Sequence, residues 1–258
     1  MLLDQRRDSI LDLLDSKGFA SLQELADAVG VSESTVRRDV EHLDKIGQIR
    51  RTRGGAAAIS DGSLPFEDRS GQAVQEKQRV GKTAATLIMP GETILLDGGT
   101  TTLEVARQLV ANPRPLQVVT NSLPVVNLLA AVPQIELIQL GGHLYPKTGV
   151  FLGPMTVESL KGVRVRRVFL SAGGITADGL FNNNSLLVEA ERGMIAAAEE
   201  VIVVADHSKF GHTALSFLAP LSAVDKIVTD EDLADDWKQI VREQGIMLVI
   251  AEGHAAVT

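Results

Sequence analysis

Residues 21–55 read SLQELADAVGVSESTVRRDVEHLDKIGQIRRTRGG, and the fold of the leading part of the chain turns on them. Ser21 with Glu24 three residues later is a capping box, in which hydroxyl and carboxylate satisfy the free N–H groups of a helix start. Leu22, Leu25, Ala26 and Val29 follow at helical spacing on one face, Gly30 ends that helix, and Ser32 caps the next. The next helix seats Val36, Val40 and Leu43 on one side and presents Ser34, Thr35, Arg37 and Arg38 on the other. Two helices joined by so short a turn, the second polar and basic outward, make a helix-turn-helix. Early residues of its second helix, with Ser32 at the cap, are then placed to meet base edges in the major groove. An earlier helix is expected from Ile10, Leu13 and Leu14.

Gly47 is expected to stop the second helix, and QIRRTRGG then alternates Ile49 with basic residues before two glycines, as in the β-hairpin wing of winged-helix proteins. A charge run is most often a solvated helix face. Phosphate is the alternative: it needs cations beside glycines that let the backbone approach. Arg37 and Arg38 suit base or phosphate; Arg50, Arg51 and Arg53 suit phosphate. Asp39, Glu41 and Asp44 are expected to moderate the helix charge, leaving the wing arginines unopposed.

The chain as a whole carries a net charge of −8 over 258 residues, yet residues 31–57 hold six basic against four acidic side chains. An acidic body repels DNA, so DNA contact is expected through this basic segment. With 45% hydrophobic residues there is ample core, and with no cysteine there are neither disulfides nor thiolate metal sites. His42, His143, His207, His212 and His254 are scattered and read as solvated loop residues, so no metal and no cofactor is expected. The first residues carry aspartates among amphipathic spacing, unlike a signal peptide, and no apolar run approaches the roughly 20 residues of a membrane span. A soluble cytoplasmic protein without membrane partners is expected.

Residues 56–75 have scattered glycine and little periodicity and read as a linker with a short turn near LPFEDR. The expected division is a head at 1–57, a linker at 58–75 and a larger α/β domain at 76–258. In the last part TILLDGG, LQVVTNS, IELIQLGG, RVFLSAGG, VIVVAD, DKIVTD and MLVIA read as strands. They alternate with helical stretches such as EKQRVGKTAATLI and LVEAERGMIAAA, which argues for a mainly parallel sheet covered on both faces. Ligands of such sheets sit beyond the carboxyl ends of the strands.

The strongest ligand candidate is LLDGGTTTLEVA. Asp97, Gly98 and Gly99 leave a strand, and Thr100, Thr101 and Thr102 open a helix whose N–H groups and hydroxyls suit a phosphate. The alternative is an ordinary threonine N-cap after a glycine turn. ADHSKFG sets Lys209 at another strand end, and TNS and LGG add further small polar ends. No G-x-x-x-x-G-K loop, G-x-G-x-x-G fingerprint or G-x-S-x-G elbow occurs.

Residues 24–55, from ELADAVGVS through TVRRD to the paired glycines, with a leading arginine at Arg6 or Arg7, resemble the N-terminal signature of the DeoR family of bacterial transcriptional regulators. Many members carry histidine where Arg53 stands here. DGGTTT, VTNS, LGG, FLGP, SAGGI, VEAERGMI and ADHSKFG follow in the order of the family's sensor domains, so the resemblance runs from about residue 5 to Asp230. It implies a winged helix-turn-helix head joined to an α/β sensor similar in fold to ribose-5-phosphate isomerase. It implies operator DNA and a phosphorylated sugar as partners, with Asp97, Gly99, Thr100, Thr101, Thr102, Asn121, Gly142, Glu189 and Lys209 around the effector. A repressor of a carbohydrate operon acting as a dimer or tetramer is expected. The competing reading is a sugar-phosphate isomerase, with Glu189, Asp97 and Lys209 as acid–base groups. It is weakened because Gly173 stands where the isomerases carry an aspartate, so no enzyme activity is expected.

Overall fold

The structure, a computed structural model, describes residues 3–17, 19–45, 49–52, 54–58 and 65–253. Two compact units divide it, Met1–Leu64 and Pro65–Thr258.

In the first unit α1 (Leu3–Lys17), β1 (Phe19–Ser21), α2 (Leu22–Val29) and α3 (Glu33–Lys45) are followed by β2 (Ile49–Arg51) and β3 (Gly55–Ala58). The capping box forms: Ser21 Oγ accepts from Glu24 N at 3.2 Å, and Ser21 N donates to Glu24 Oε2 at 2.9 Å. Gly30 closes α2 in the left-handed region, and Thr35 N donates to Ser32 Oγ at the start of α3. The strands pair antiparallel in the order β1-β3-β2, with Ile49 opposite Ala58. Ile10, Leu14, Leu25, Val29, Val36, Val40, Leu43 and Ile49 are buried in one core, which locks the three helices to the hairpin. This is the expected winged helix-turn-helix. Gly47 and Arg53 lie outside the described residues.

The second unit begins with α4 (Phe66–Ser70) and α5 (Val74–Thr86), so part of the stretch read as linker is helical. Then come β4 (Thr93–Leu96), α6 (Thr100–Ala111), β5 (Leu116–Thr120), α7 (Leu123–Leu129), β6 (Ile135–Gln139), the hairpin β7 (His143–Tyr145) and β8 (Val150–Leu152), and α8 (Pro154–Lys161). After β9 (Val165–Leu170), β10 (Gly174–Thr176) and β11 (Gly179–Asn182) lie α9 (Ser185–Ala197), β12 (Ala198–Val204), β13 (Ser216–Ala219), β14 (Lys226–Asp230), α10 (Asp235–Glu243) and β15 (Met247–Ala251).

Seven strands form one parallel sheet in the order β15-β14-β12-β9-β4-β5-β6, and these are the seven runs read as strands. Ile94 and Leu96 of β4 pack under α5, α6 and α7, whereas Leu95 packs with Leu160 of α8 and Met194 of α9 on the opposite face. Both faces being covered, the strands are apolar throughout, which is why they stand out in the sequence. The chain leaves β4 for β5 and β6 on one side and returns to β9 on the other. The carboxyl ends of β4 and β9 are therefore the topological switch point where such sheets bind ligands. The antiparallel ribbon β10-β11-β13 continues directly from the end of β9, with Gly173 N donating to Phe181 O.

Candidate functional site

The outer face of α3 carries the expected DNA-reading set. Ser34, Arg37 and Arg38 are exposed and Thr35 is half-buried. Ser32 Oγ lies 2.9 Å from Ser34 Oγ and 3.0 Å from Thr35 Oγ1, a local hydroxyl cluster at the helix start. Among the described residues neither Arg37 nor Arg38 has an ion-pair partner, so both guanidinium groups are available to an external anion.

Asp39 departs from expectation. It is buried, and Arg6 Nε and Arg7 Nε of α1 donate to its two oxygens at 2.7 and 3.3 Å. Its position i+3 from Val36 turns it inward, so it fixes α1 to the recognition helix and does not moderate the outer face. Nor is Arg51 of the wing unopposed. Arg51 Nη1 donates to Glu41 Oε1 at 2.9 Å, and Arg51 N to Asp44 Oδ1 at 2.8 Å. Both side chains of the Arg51–Glu41 pair are about half exposed, a setting in which an ion pair is worth at most about 1 kcal/mol and yields readily to phosphate. Arg50 pairs through its backbone opposite Ala57.

In the second unit the carboxyl edge of the sheet gathers polar groups. Asp97 is buried, and its Oδ2 accepts from Ser171 Oγ at 2.8 Å and Ser171 N at 3.2 Å, stitching the ends of β4 and β9 together. Gly98 and Gly99 are required by close approach: a Cβ at either would stand about 2 Å from Val150 Cγ1 or Ser171 Oγ. Gly99 is the N-cap of α6 and no side chain caps that helix, so the threonine N-cap alternative does not hold. Thr102 Oγ1 is spent on the carbonyls of Asp97 and Gly99, both at 2.8 Å. Among the described residues no hydrogen bond engages the hydroxyls of Thr100 and Thr101. An uncapped twelve-residue helix with two such hydroxyls at its start offers free N–H and O–H donors, which suit an anion.

Cations near the start of α6 come partly from residues that the sequence alone did not single out. Lys77 of α5 is buried, and its Nζ donates to Arg69 O at 2.7 Å. Burial pushes the Lys77 ammonium below the usual lysine range, opposed first by Asp206 at the end of β12. Arg69 of α4 is likewise lowered by burial and faces Asp97, and its Nε is buried without a hydrogen-bond partner. A pocket of about 270 Å³ opens beside Thr100 and Lys77 along the groove between α5 and α6. Lys209 is half-buried in a 3-10 turn over His207–Lys209, which begins at buried Asp206.

Other expected residues fall elsewhere. Glu189 is exposed on α9, and Glu191, two residues on, is the carboxylate turned inward. Asn182 Nδ2 donates to Glu191 Oε1 at 2.6 Å. Burial and the nearby Asp97 push Glu191 well above the usual carboxylate range, and burial raises Asp97 as well. Asn121 is buried and donates through Nδ2 to Phe151 O at 3.0 Å, while its Oδ1 has no partner. Gly142, in the left-handed region, has a packing reason instead: a Cβ there would meet Thr156 Oγ1 at 2.3 Å. His207 is not simply solvated, since its Nδ1 lies 2.7 Å from Oδ1 of buried Asp230. With Asp232 these groups offer ligand atoms within 4.8 Å of one another, but Asp230 is already engaged by the backbone N–H groups of His207 and Asp232. Among the described residues no helix is long and apolar enough to cross a membrane.

Comparison with known proteins places both units. Residues 6–61 match the DeoR-like helix-turn-helix domain, and residues 72–231 match the DeoR C terminal sensor domain. The glycerol-3-phosphate regulon repressor of Escherichia coli (strain K12) is 33% identical over 246 residues, 95% of this chain and 97% of its own. The HTH-type transcriptional regulator IolR of Bacillus subtilis (strain 168) is 35% identical over 239 residues, 92% of this chain and 94% of its own. Among solved structures, ribose 5-phosphate isomerase A from Neisseria gonorrhoeae aligns with 59% of this chain and 57% of its own at 15% identity and a TM-score of 0.40. Both relatives, matched over 97% and 94% of their length, are a repressor and a transcriptional regulator by name, and with both of its units matched the chain belongs to the DeoR family of DNA-binding transcriptional regulators.

Proposed function

We propose that this regulator represses a carbohydrate-metabolism operon and that a phosphorylated sugar or related metabolite controls its hold on the operator. Residues 1–57 serve as the DNA-binding head, 58–75 as the connection and 76–258 as the sensor. In the head, Ser34, Thr35, Arg37 and Arg38 meet the major groove, and Arg50, Arg51 and Arg53 of the wing neutralise backbone phosphates. Helix-turn-helix heads act in pairs on repeated half-sites, which favours a homo-oligomer, dimer or tetramer. An acidic chain without cysteine suits the cytoplasm, where such an operator is met.

One observation carries the effector reading: the uncapped start of α6, with the Thr100 and Thr101 hydroxyls unengaged and the buried cation Lys77 beside the same pocket. A phosphate satisfies the N–H groups and the buried charge together. The named relative that represses a glycerol-3-phosphate regulon supports a phosphorylated ligand class. Asp97, Asp206 and Lys209 at adjoining strand ends supply partners for the rest of the molecule.

The head is tested by changing Arg37 and Arg38 together to alanine in the full chain. Affinity for promoter DNA next to the gene is expected to fall by about tenfold or more per lost guanidinium contact, and the slope of log affinity on log salt to shrink. Unchanged affinity and slope at physiological salt would remove α3 from the DNA interface.

A further inference from the structure

Arg6 and Arg7 of α1 converge on a single carboxylate. Asp39 of α3 is 2% exposed, and it accepts from Arg6 Nε at 2.7 Å and from Arg7 Nε at 3.3 Å, one on each oxygen. A buried carboxylate needs one cation to answer its charge. The shorter contact, from the less exposed of the two arginines, supplies it through Arg6. Arg7 is then a surplus cation, with its side chain 21% exposed. Among the described side chains it has no ion-pair partner besides Asp39. A guanidinium carries five N–H donors, so with Nε on Asp39 the Nη groups of Arg7 remain for another acceptor.

The register of α3 gives that surplus charge a place. Asp39 follows Thr35 by four residues and so stands one turn further along the same side of the helix. Thr35 is half-buried, at the border between the outer and inner faces, and its Oγ1 lies 3.0 Å from Ser32 Oγ in the hydroxyl cluster at the helix start. Arg38, exposed, is the residue before Asp39. The Arg7 guanidinium is therefore held at the flank of the reading face, on the side where α1 meets α3. A recognition helix lying in the major groove has backbone phosphates along its flanks.

We propose that Arg7 contacts a backbone phosphate and extends the DNA interface from α3 and the wing onto α1. This rests on the reading of α3 as the DNA-reading helix. The planar fork of a guanidinium suits a phosphate. With Nε already held, little side-chain freedom remains to be lost on docking. The contact carries no base preference, because a phosphate is the same beside every base pair.

Fluorescence anisotropy of labelled promoter DNA and of scrambled DNA with the full chain, repeated over a range of salt, tests this. Arg7→Gln leaves Asp39 paired with Arg6, so its thermal unfolding is expected to match that of the wild type. Its slope of log affinity on log salt is expected to shrink by about 0.9, one phosphate's worth, with affinity at physiological salt falling about fivefold on both DNAs. Arg7→Lys keeps the charge and is expected to recover most of the slope. A merely structural Arg7 would lower the unfolding midpoint and leave the slope alone, so an unchanged slope in Arg7→Gln overturns the assignment. Should Arg7→Gln fail to fold, Arg7→Lys is compared with the wild type on promoter duplexes carrying single neutral methylphosphonates. One neutralised position is then expected to cost the wild type more than Arg7→Lys, which lacks the fork, and equal costs at every position overturn the assignment as well. If Arg7→Gln keeps the wild-type slope while the double alanine variant of Arg37 and Arg38 loses DNA, α1 lies outside the interface and the reading of α3 stands. If both variants bind as the wild type does, both readings fall.

Discussion

The two edges of the seven-stranded sheet treat buried charge in opposite ways. At the amino edge Arg167 of β9 pairs with Glu92 and Glu200, and Lys226 of β14 pairs with Glu200. All four side chains are at most 17% exposed, and every charge is answered. At the carboxyl edge Asp97, Asp206, Glu191, Asn121 and Arg69 each keep a buried polar atom without a partner. That network is closed on itself and contributes to holding the strands in register, although Arg114 Nε, just ahead of β5, is buried without a partner. The other edge keeps unmet hydrogen-bonding capacity at the switch point, capacity that a ligand or ordered water meets.

Breaking the amino edge gives the largest expected change. Arg167→Met strands Glu92 and leaves Glu200 with Lys226 alone, so urea unfolding should show a loss of about 3 kcal/mol with effector affinity unchanged. A loss below about 0.5 kcal/mol would make the network equivalent to an exposed one. A smaller change of opposite sign is expected at the carboxyl edge. Asp97 holds its proton more firmly in the folded than in the unfolded chain, because burial raises it from the ordinary 3.8. Stability is therefore lost as pH rises from that ordinary value towards the raised one, and is not regained at higher pH. Asp97→Asn removes the charge and is expected to gain about 1 kcal/mol over the wild type near pH 7, with the difference vanishing towards pH 3. A difference that does not change with pH would mean that Asp97 titrates alike folded and unfolded.

The same contrast explains what the sequence disclosed. The seven central strands are apolar on both faces and were legible as runs. The hairpin β7–β8 and the ribbon β10-β11-β13 were not, because three- and four-residue strands with partly exposed sides leave no period to count. Helix α8 was hidden by its brevity and its Gly153–Pro154 start. In the head, caps and apolar spacing disclosed every helix.

The candidate site was legible in its glycines and threonines but not in its buried charges, and one signal marked those charges. Val36, Asp39, Val40 and Leu43 fall at i, i+3, i+4 and i+7, and so do Lys77, Val80, Gly81 and Ala84, and Leu187, Ala190, Glu191 and Met194. In each set the charged residue sits on the inward stripe of its helix and is buried with it. Glu189 lies off that stripe, which is why it is exposed and Glu191 is not. A charged residue in register with an apolar stripe is the pattern that separates a site or clamp from a solvated face.

The central claim is that occupancy of the carboxyl edge governs DNA binding by the head. Fluorescence anisotropy of labelled promoter DNA with the full chain, titrated with glycerol 3-phosphate, ribose 5-phosphate and glucose 6-phosphate, tests it directly. At least one of them is expected to shift the DNA dissociation constant about tenfold in the wild type, a coupling of roughly 1.4 kcal/mol. Lys77→Met is expected to bind the DNA with unchanged affinity and to show no shift. A wild type indifferent to every sugar phosphate, or a Lys77→Met variant that responds as the wild type does, would contradict the account.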